Sequence, residues 1–299
     1  MIPFQTPDVP IFIVCPSGPV DGETLAYGIA NLRENGFSVV PPLITPADKI
    51  SCFSAPASQR LNEILGALSD PNPAVIWAAR GGYGACDLLA RIPWDSPSIR
   101  SKLVIGFSDI SAILSALYCK GHPSIHGLMP GSPFWTQASE KDRSLYFELI
   151  RNPRKQQFLP VKSLRPEYPN VEGKIFGGCL SVLTNLIGTP YLPKSLAGHI
   201  LFFEDVGENL GQVLRYLRQW QLAGYLDRIR GIIWGTFTRF RDGTPDNPVD
   251  EMRRWHEEFF NETPGFFCSS IGHSLPNLPI GIGALGQIQR STLTWQFSV

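Results

Sequence analysis

Short apolar runs alternate with amphipathic stretches through the first half of the chain. Ile11-Phe12-Ile13-Val14-Cys15 is ended by Pro16-Ser17-Gly18-Pro19, and residues 23–34 then place apolar positions near helical spacing until Gly36 closes the stretch. Residues 37–40 and 57–68 repeat the pair, as do residues 74–79 and 85–91. Leu103-Val104-Ile105 and the helix-forming residues 112–118 make a fourth. Strand, turn and helix in this rhythm predict a largely parallel sheet with helices on both faces. Ligands of such sheets bind beyond the carboxyl ends of the strands. The loops 16–19, 80–84 and 106–109 are expected on that rim.

The pattern breaks at residues 151–172, where Arg151, Arg154, Lys155, Lys162 and Arg165 mix with Pro153, Pro160, Pro166 and Pro169. A linker is expected there, between a domain over 1–150 and a second over 173–299. The second half opens on Gly173-Lys174-Ile175-Phe176-Gly177-Gly178-Cys179 and a helix over 180–187. His199-Ile200-Leu201-Phe202-Phe203 reads as a buried strand running into Glu204-Asp205, followed by an amphipathic helix over 209–223 and a strand over 231–235. Residues 279–281 and 292–295 close the chain, and Trp220 with its neighbouring leucines reads as core.

Composition narrows the function classes. In 299 residues, 43% are hydrophobic and 17% charged, which suits a globular protein with a sizeable core. Lys+Arg 26 against Asp+Glu 26 leaves a formal net charge of +0, so no overall pull toward nucleic acid or a membrane surface is expected. A small polar substrate fits better, and the chain is compatible with a homodimer. The six cysteines are scattered, without metal-ligand spacing, and are read as reduced core residues of a cytoplasmic protein. Residues 1–8 carry no basic region ahead of an apolar stretch, so a secretory signal is not expected. No apolar run is long enough to span a bilayer.

Candidate chemistry gathers at strand ends. Gly106-Phe107-Ser108-Asp109-Ile110-Ser111 follows a strand and opens a helix, an arrangement that lifts a serine hydroxyl above a sheet and turns backbone N–H groups toward its target. It departs from Gly-x-Ser-x-Gly at Ile110, and Ser108 also suits a helix N-cap. Glu204 follows the strongly apolar run Ile200-Leu201-Phe202-Phe203, a costly place for a carboxylate without a partner, although Asp205 is a rival acid. His273 and His126 both qualify as a base for the serine, and spacing does not choose between them. Gly81 and Gly82 suit close backbone approach; an N–H there, with that of Asp109, is a candidate oxyanion hole. Arg80 is a candidate to hold a substrate carboxylate. His256-Glu257-Glu258 lacks the second histidine of a zinc motif and reads as one exposed helix face, and 80–84 lacks the spacing of a dinucleotide or phosphate loop. Neither a metal nor a cofactor is expected.

Taken in order, Arg80-Gly81-Gly82-Tyr83-Gly84, Gly106-Phe107-Ser108-Asp109, His126-Gly127, Gly177-Gly178-Cys179-Leu180, Gly188-Thr189-Pro190, Phe203-Glu204-Asp205-Val206, Leu222-Ala223-Gly224 and Gly272-His273 resemble the LD-carboxypeptidase family of serine peptidases. The resemblance runs essentially the length of the chain. It implies a flavodoxin-like N-terminal domain and a smaller β-rich, swivelling β/α C-terminal domain, with the site assembled between them. It also implies Ser108 as nucleophile, Glu204 as the orienting acid and His273 as base. His126 is then expected to shape the pocket floor as a substrate-binding residue, or to be a core histidine. The implied reaction releases a terminal D-amino acid, typically the D-alanine of murein tetrapeptides, in peptidoglycan recycling. Two departures stand out: Ser111 replaces the more usual Thr, and 209–215 keeps only the arginine of the family's Tyr and Asp-Arg pattern. A related group cleaves peptidyl-nucleotide antibiotics of the microcin C type; Glu204-Asp205-Val206-Gly207-Glu208 sits closer to the cell-wall branch. A ligand-binding module without catalysis is the alternative of another class.

Overall fold

The computed structural model describes residues 9–44, 52–165, 170–260 and 262–297. The N-terminal residues read for a signal, and Pro166 and Pro169 of the expected linker, lie outside the described residues. The first half builds β1 (Ile11–Val14), α1 (Gly22–Glu34), β2 (Val39–Val40), α2 (Ala57–Ser69), β3 (Ala74–Ala78), β4 (Lys102–Gly106), α3 (Ser111–Cys119) and β5 (Ser124–His126). Two further helices follow, α4 (Pro133–Gln137) and α5 (Glu140–Arg151). Strands β2-β1-β3-β4-β5 are neighbours in that order and all parallel, the flavodoxin-like winding. Every residue of β3 and β4 is buried, as expected when helices cover both faces of a parallel sheet. Asp21 starts α1 by accepting the Thr24 N–H at 2.9 Å, and Leu25 and Leu32 share its buried face. Residues 85–91, read as a helix from their apolar content, form a 3-10 helix instead.

The second half holds β6 (Gln157–Pro160), β7 (Lys162–Ser163), β8 (Val171–Cys179), α6 (Leu180–Thr184), β9 (His199–Val206), α7 (Leu210–Leu222) and β10 (Gly231–Thr238). It continues through α8 (Val249–Phe259), β11 (Gly265–Phe267), β12 (Ile280–Ile282), β13 (Leu285–Gln289) and β14 (Thr292–Gln296). Its eight-stranded sheet runs β6-β14-β13-β8-β9-β10-β11-β7. The middle four, β8 to β11, are parallel, and antiparallel strands flank them.

Four expectations need correction. The stretch 151–172 is not a bare connection, because β6 and β7 become the two edge strands of the second sheet. Residues 280–282 leave the second half and pair antiparallel with β5, completing the first sheet as β12. On α8, Met252, Trp255, His256 and Phe259 form one buried face at helical spacing, leaving only Glu257 and Glu258 of the triplet exposed. All six cysteines are free, but Cys52 and Cys86 are exposed and Cys119 is half-buried, so only Cys15, Cys179 and Cys268 are core residues. Trp220 is fully buried and donates its indole N–H to Thr184 Oγ1 at 2.8 Å.

The two sheets are stitched together beneath the site. Cys179 N–H at the end of β8 donates to Ser111 Oγ on α3 at 3.1 Å, so the serine found in place of the usual threonine keeps the hydroxyl that this contact uses. Tyr146 of α5 donates to the Asn277 carbonyl at 2.9 Å while accepting the Leu128 N–H at 2.8 Å. Ser115 of α3 donates to the Tyr191 carbonyl at 2.7 Å.

Candidate active site

The chain leaves β4 through Phe107 and turns at Ser108, whose φ of 62° lies in the left-handed region that a serine seldom occupies. Residues 108–110 then form one 3-10 turn leading into α3. The missing second glycine is accounted for by the opposite end of the turn. A side chain on Gly106 would stand 2.7 Å from the Ile110 methyl, so Ile110 folds back over the bare backbone at 106. Gly81 meets the turn from the neighbouring strand end: a Cβ there would lie 2.8 Å from Ser108 Cβ and 3.0 Å from its hydroxyl. Gly82 follows with a φ of 130°. The strain at Ser108 is held by Asp109. Its buried carboxylate accepts from Ser17 Oγ at 2.5 Å and from the Ala85 N–H at 2.9 Å, tying the turn to the loops after β1 and β3. Burial pushes the Asp109 carboxyl up, and the Ser17 hydrogen bond partly offsets this.

Glu204, in β9, is fully buried, and its Oε2 lies 2.6 Å from His273 Nδ1. That contact fixes the imidazole's orientation and leaves Nε2 as the nitrogen available for chemistry. A loop of small residues permits the approach: a Cβ on Gly272, at φ 117°, would be 2.8 Å from Glu204 Cβ. The His273 ring packs 4.8 Å from the Phe107 ring, beside the serine turn. Asp205, the rival acid, points to the other face of the strand. It accepts from Ser181 N–H at 2.7 Å, Ser181 Oγ at 3.1 Å and Val206 N–H at 2.8 Å, and so caps α6. Burial, reinforced by Glu204, pushes Asp205 up to about 7.

His126 has no solvent-exposed surface. It is fully buried in β5 between the rings of Phe107 and Phe202, at 5.8 and 5.1 Å, and burial pulls it down to about 4. The loop that follows, residues 127–132, is buried as well, a depth that its glycines, proline and serine do not signal in sequence. Arg80 does line the site, with Nη1 donating to the Pro19 carbonyl at 2.7 Å.

Ser108 opens onto two cavities. One, of about 350 Å³, is bordered by Arg80, Gly81, Gly82, Phe134, Arg239 and His273. The other, of about 790 Å³, is bordered by Asp109, Asp205, Glu208, Tyr216 and Arg241, among others. Arg239, Arg241 and Tyr216 went unnoticed in the sequence, and Glu208 is read there only as part of the segment after Glu204. The first two follow β10 directly, and strand-end position was their only signal. Among the described residues there is no group of three His, Cys, Asp or Glu side chains able to hold a metal ion. No helix among them is long and apolar enough to cross a membrane.

Both the sequence and the fold match known proteins. Residues 11–127 match the LD-carboxypeptidase N-terminal domain, and residues 172–288 the LD-carboxypeptidase C-terminal domain. The chain belongs to the LD-carboxypeptidase family. It is 31% identical to the murein tetrapeptide carboxypeptidase of Pseudomonas aeruginosa over 79% of this chain and 79% of that protein. The crystal structure of muramoyltetrapeptide carboxypeptidase from Oxalobacter formigenes is similar over 96% of this chain and 99% of its own, with 25% identity and a TM-score of 0.82. The microcin C7 self immunity protein MccF, in complex with aspartyl sulfamoyl adenosine, shares the fold with a TM-score of 0.83 at 22% identity, over 99% of this chain and 98% of that one. The family fold is therefore the fold of this LD-carboxypeptidase relative: a parallel-sheet N-terminal region with a second, β-rich sheet.

Proposed function

We propose that this protein is a serine LD-carboxypeptidase that removes the terminal D-alanine from murein tetrapeptides during cytoplasmic peptidoglycan recycling. The observation that carries the reading is the 2.6 Å contact between buried Glu204 and His273, with His273 and Ser108 bordering one cavity. In this reading His273 Nε2 takes the Ser108 proton as the hydroxyl attacks the scissile carbonyl. The oxyanion is received by backbone N–H groups at Asp109, in a first helical turn whose N–H groups lack an intrahelical acceptor, and at Gly81 and Gly82. His273 then gives its proton to the departing amine, and water enters on the same histidine to release the acyl group. Glu204 orients the ring and stabilises its charged form.

The identity to the Pseudomonas murein tetrapeptide carboxypeptidase supports the cell-wall substrate. The test is incubation of the purified protein with murein tetrapeptide and, separately, with a peptidyl-adenylate. Mass spectrometry is expected to show loss of one D-alanine from the tetrapeptide. Cleavage of the nucleotide conjugate alone would move the protein to the immunity branch, and cleavage of neither would leave a binding module.

A further inference from the structure

The two cavities at Ser108 differ in which groups of the site they contain and in their charge. His273 borders only the smaller one. In the acyl transfer proposed above, on which this inference rests, the departing amine takes its proton from that histidine. The leaving residue must then occupy the smaller cavity and the acyl part the larger. The charges sort the same way. The smaller cavity is bordered by Arg80 and Arg239 and by no carboxylate, whereas the larger is bordered by Asp109, Asp205 and Glu208 against Arg241 alone. A free α-carboxylate, one carbon from the leaving nitrogen, is attracted to the first, whereas in the second Glu208 stands against the one arginine.

The two arginines are not equivalent. Arg80 already spends a guanidinium N–H on the Pro19 carbonyl. The Arg239 guanidinium makes no hydrogen bond or ion pair with any described residue. Its backbone is also held at φ 55°, and its N–H donates to Asp246 Oδ1 at 2.6 Å. Left-handed backbone at a long-chain residue is strained, and such strain collects at ligand clamps. We propose that Arg239 binds the terminal carboxylate of the leaving residue through a bidentate pair, restricting cleavage to the C-terminal bond.

The test compares two peptides, one ending in D-alanine and one in D-alaninamide, with wild type, Arg239→Ala and Arg239→Lys. Wild type should prefer the free acid by on the order of a hundredfold in kcat/KM, the effect of one charged hydrogen-bonded pair with its positioning. Arg239→Ala should lose most of the acid rate and far less of the amide rate, so that the preference collapses. Arg239→Lys should restore part of it. A ratio that changes in none of the variants, or equal losses on both peptides, overturns the assignment. A wild-type protein that cleaves neither peptide overturns the carboxypeptidase reading itself, and this inference with it.

Discussion

At the scale of single residues, the site depends on one carboxylate facing each way from a single strand. Glu204 turns to His273 and Asp205 turns to the start of α6, so exchanging either for its amide separates catalysis from stability. Glu204→Gln should lower kcat by about 10⁴-fold while leaving the melting temperature near wild type, since it removes only the support of the base. Asp205→Asn should act mainly on stability. Asp205 is raised to about 7 in the folded protein, by burial first and Glu204 second, from an unfolded value near ~3.9. A carboxyl raised in this way contributes stability below its unfolded pKa, and the contribution is lost as pH rises through the folded value. Above about pH 7 the Asn variant should therefore be more stable than wild type, and the difference should close as pH falls toward 4. Urea midpoints for both proteins across this range check it; a gap that stays constant contradicts it.

At the scale of elements, the serine turn works because two neighbouring backbones carry no side chains. Gly81→Ala puts a Cβ 2.8 Å from Ser108 Cβ, so the turn must shift by a fraction of an ångström. Misplacement on that scale costs about a hundredfold in rate, and the expected result is a kcat/KM loss of 10 to 100-fold with modest loss of stability. Equal kcat/KM for the variant and wild type would show that the turn has slack.

The same turn marks how far the sequence can be read. The strands β1, β3 and β4 were legible because buried apolar runs, complete in β3 and β4 and broken only at Phe12 in β1, have few other uses. Ser108, Glu204 and His273 were legible as polar residues at the ends of such runs, and resemblance was needed to choose His273 over His126 and Glu204 over Asp205. What stayed hidden depends on depth and on tertiary neighbours. β6 and β7 are short edge strands in a Pro- and Lys-rich stretch, where the alternation of β6 is only four residues long. His126 and His256 look alike to exposed histidines in sequence, yet both are buried by elements far away in the chain. Arg239 owes its place to a left-handed backbone angle that no arginine advertises.

For the whole molecule, the two sheets share structure as well as a site. β12 crosses back to finish the first sheet, Tyr146 grips the 277 backbone, and Ser111 holds the end of β8. Neither half is complete without the other. Thermal unfolding is therefore expected as one transition, with tryptophan fluorescence and far-ultraviolet circular dichroism coinciding. Two separated transitions would mean that the halves are energetically independent. This coupling also bears on function, because the serine comes from one sheet and its histidine and glutamate from segments associated with the other. The central claim is that Ser108 is the nucleophile of that assembled site. It is tested most directly by kcat on murein tetrapeptide for wild type and Ser108→Ala, with release of D-alanine followed by mass. The account predicts a fall of about a millionfold in a variant with an unchanged melting temperature. A folded Ser108→Ala protein that still releases D-alanine near the wild-type rate would contradict it.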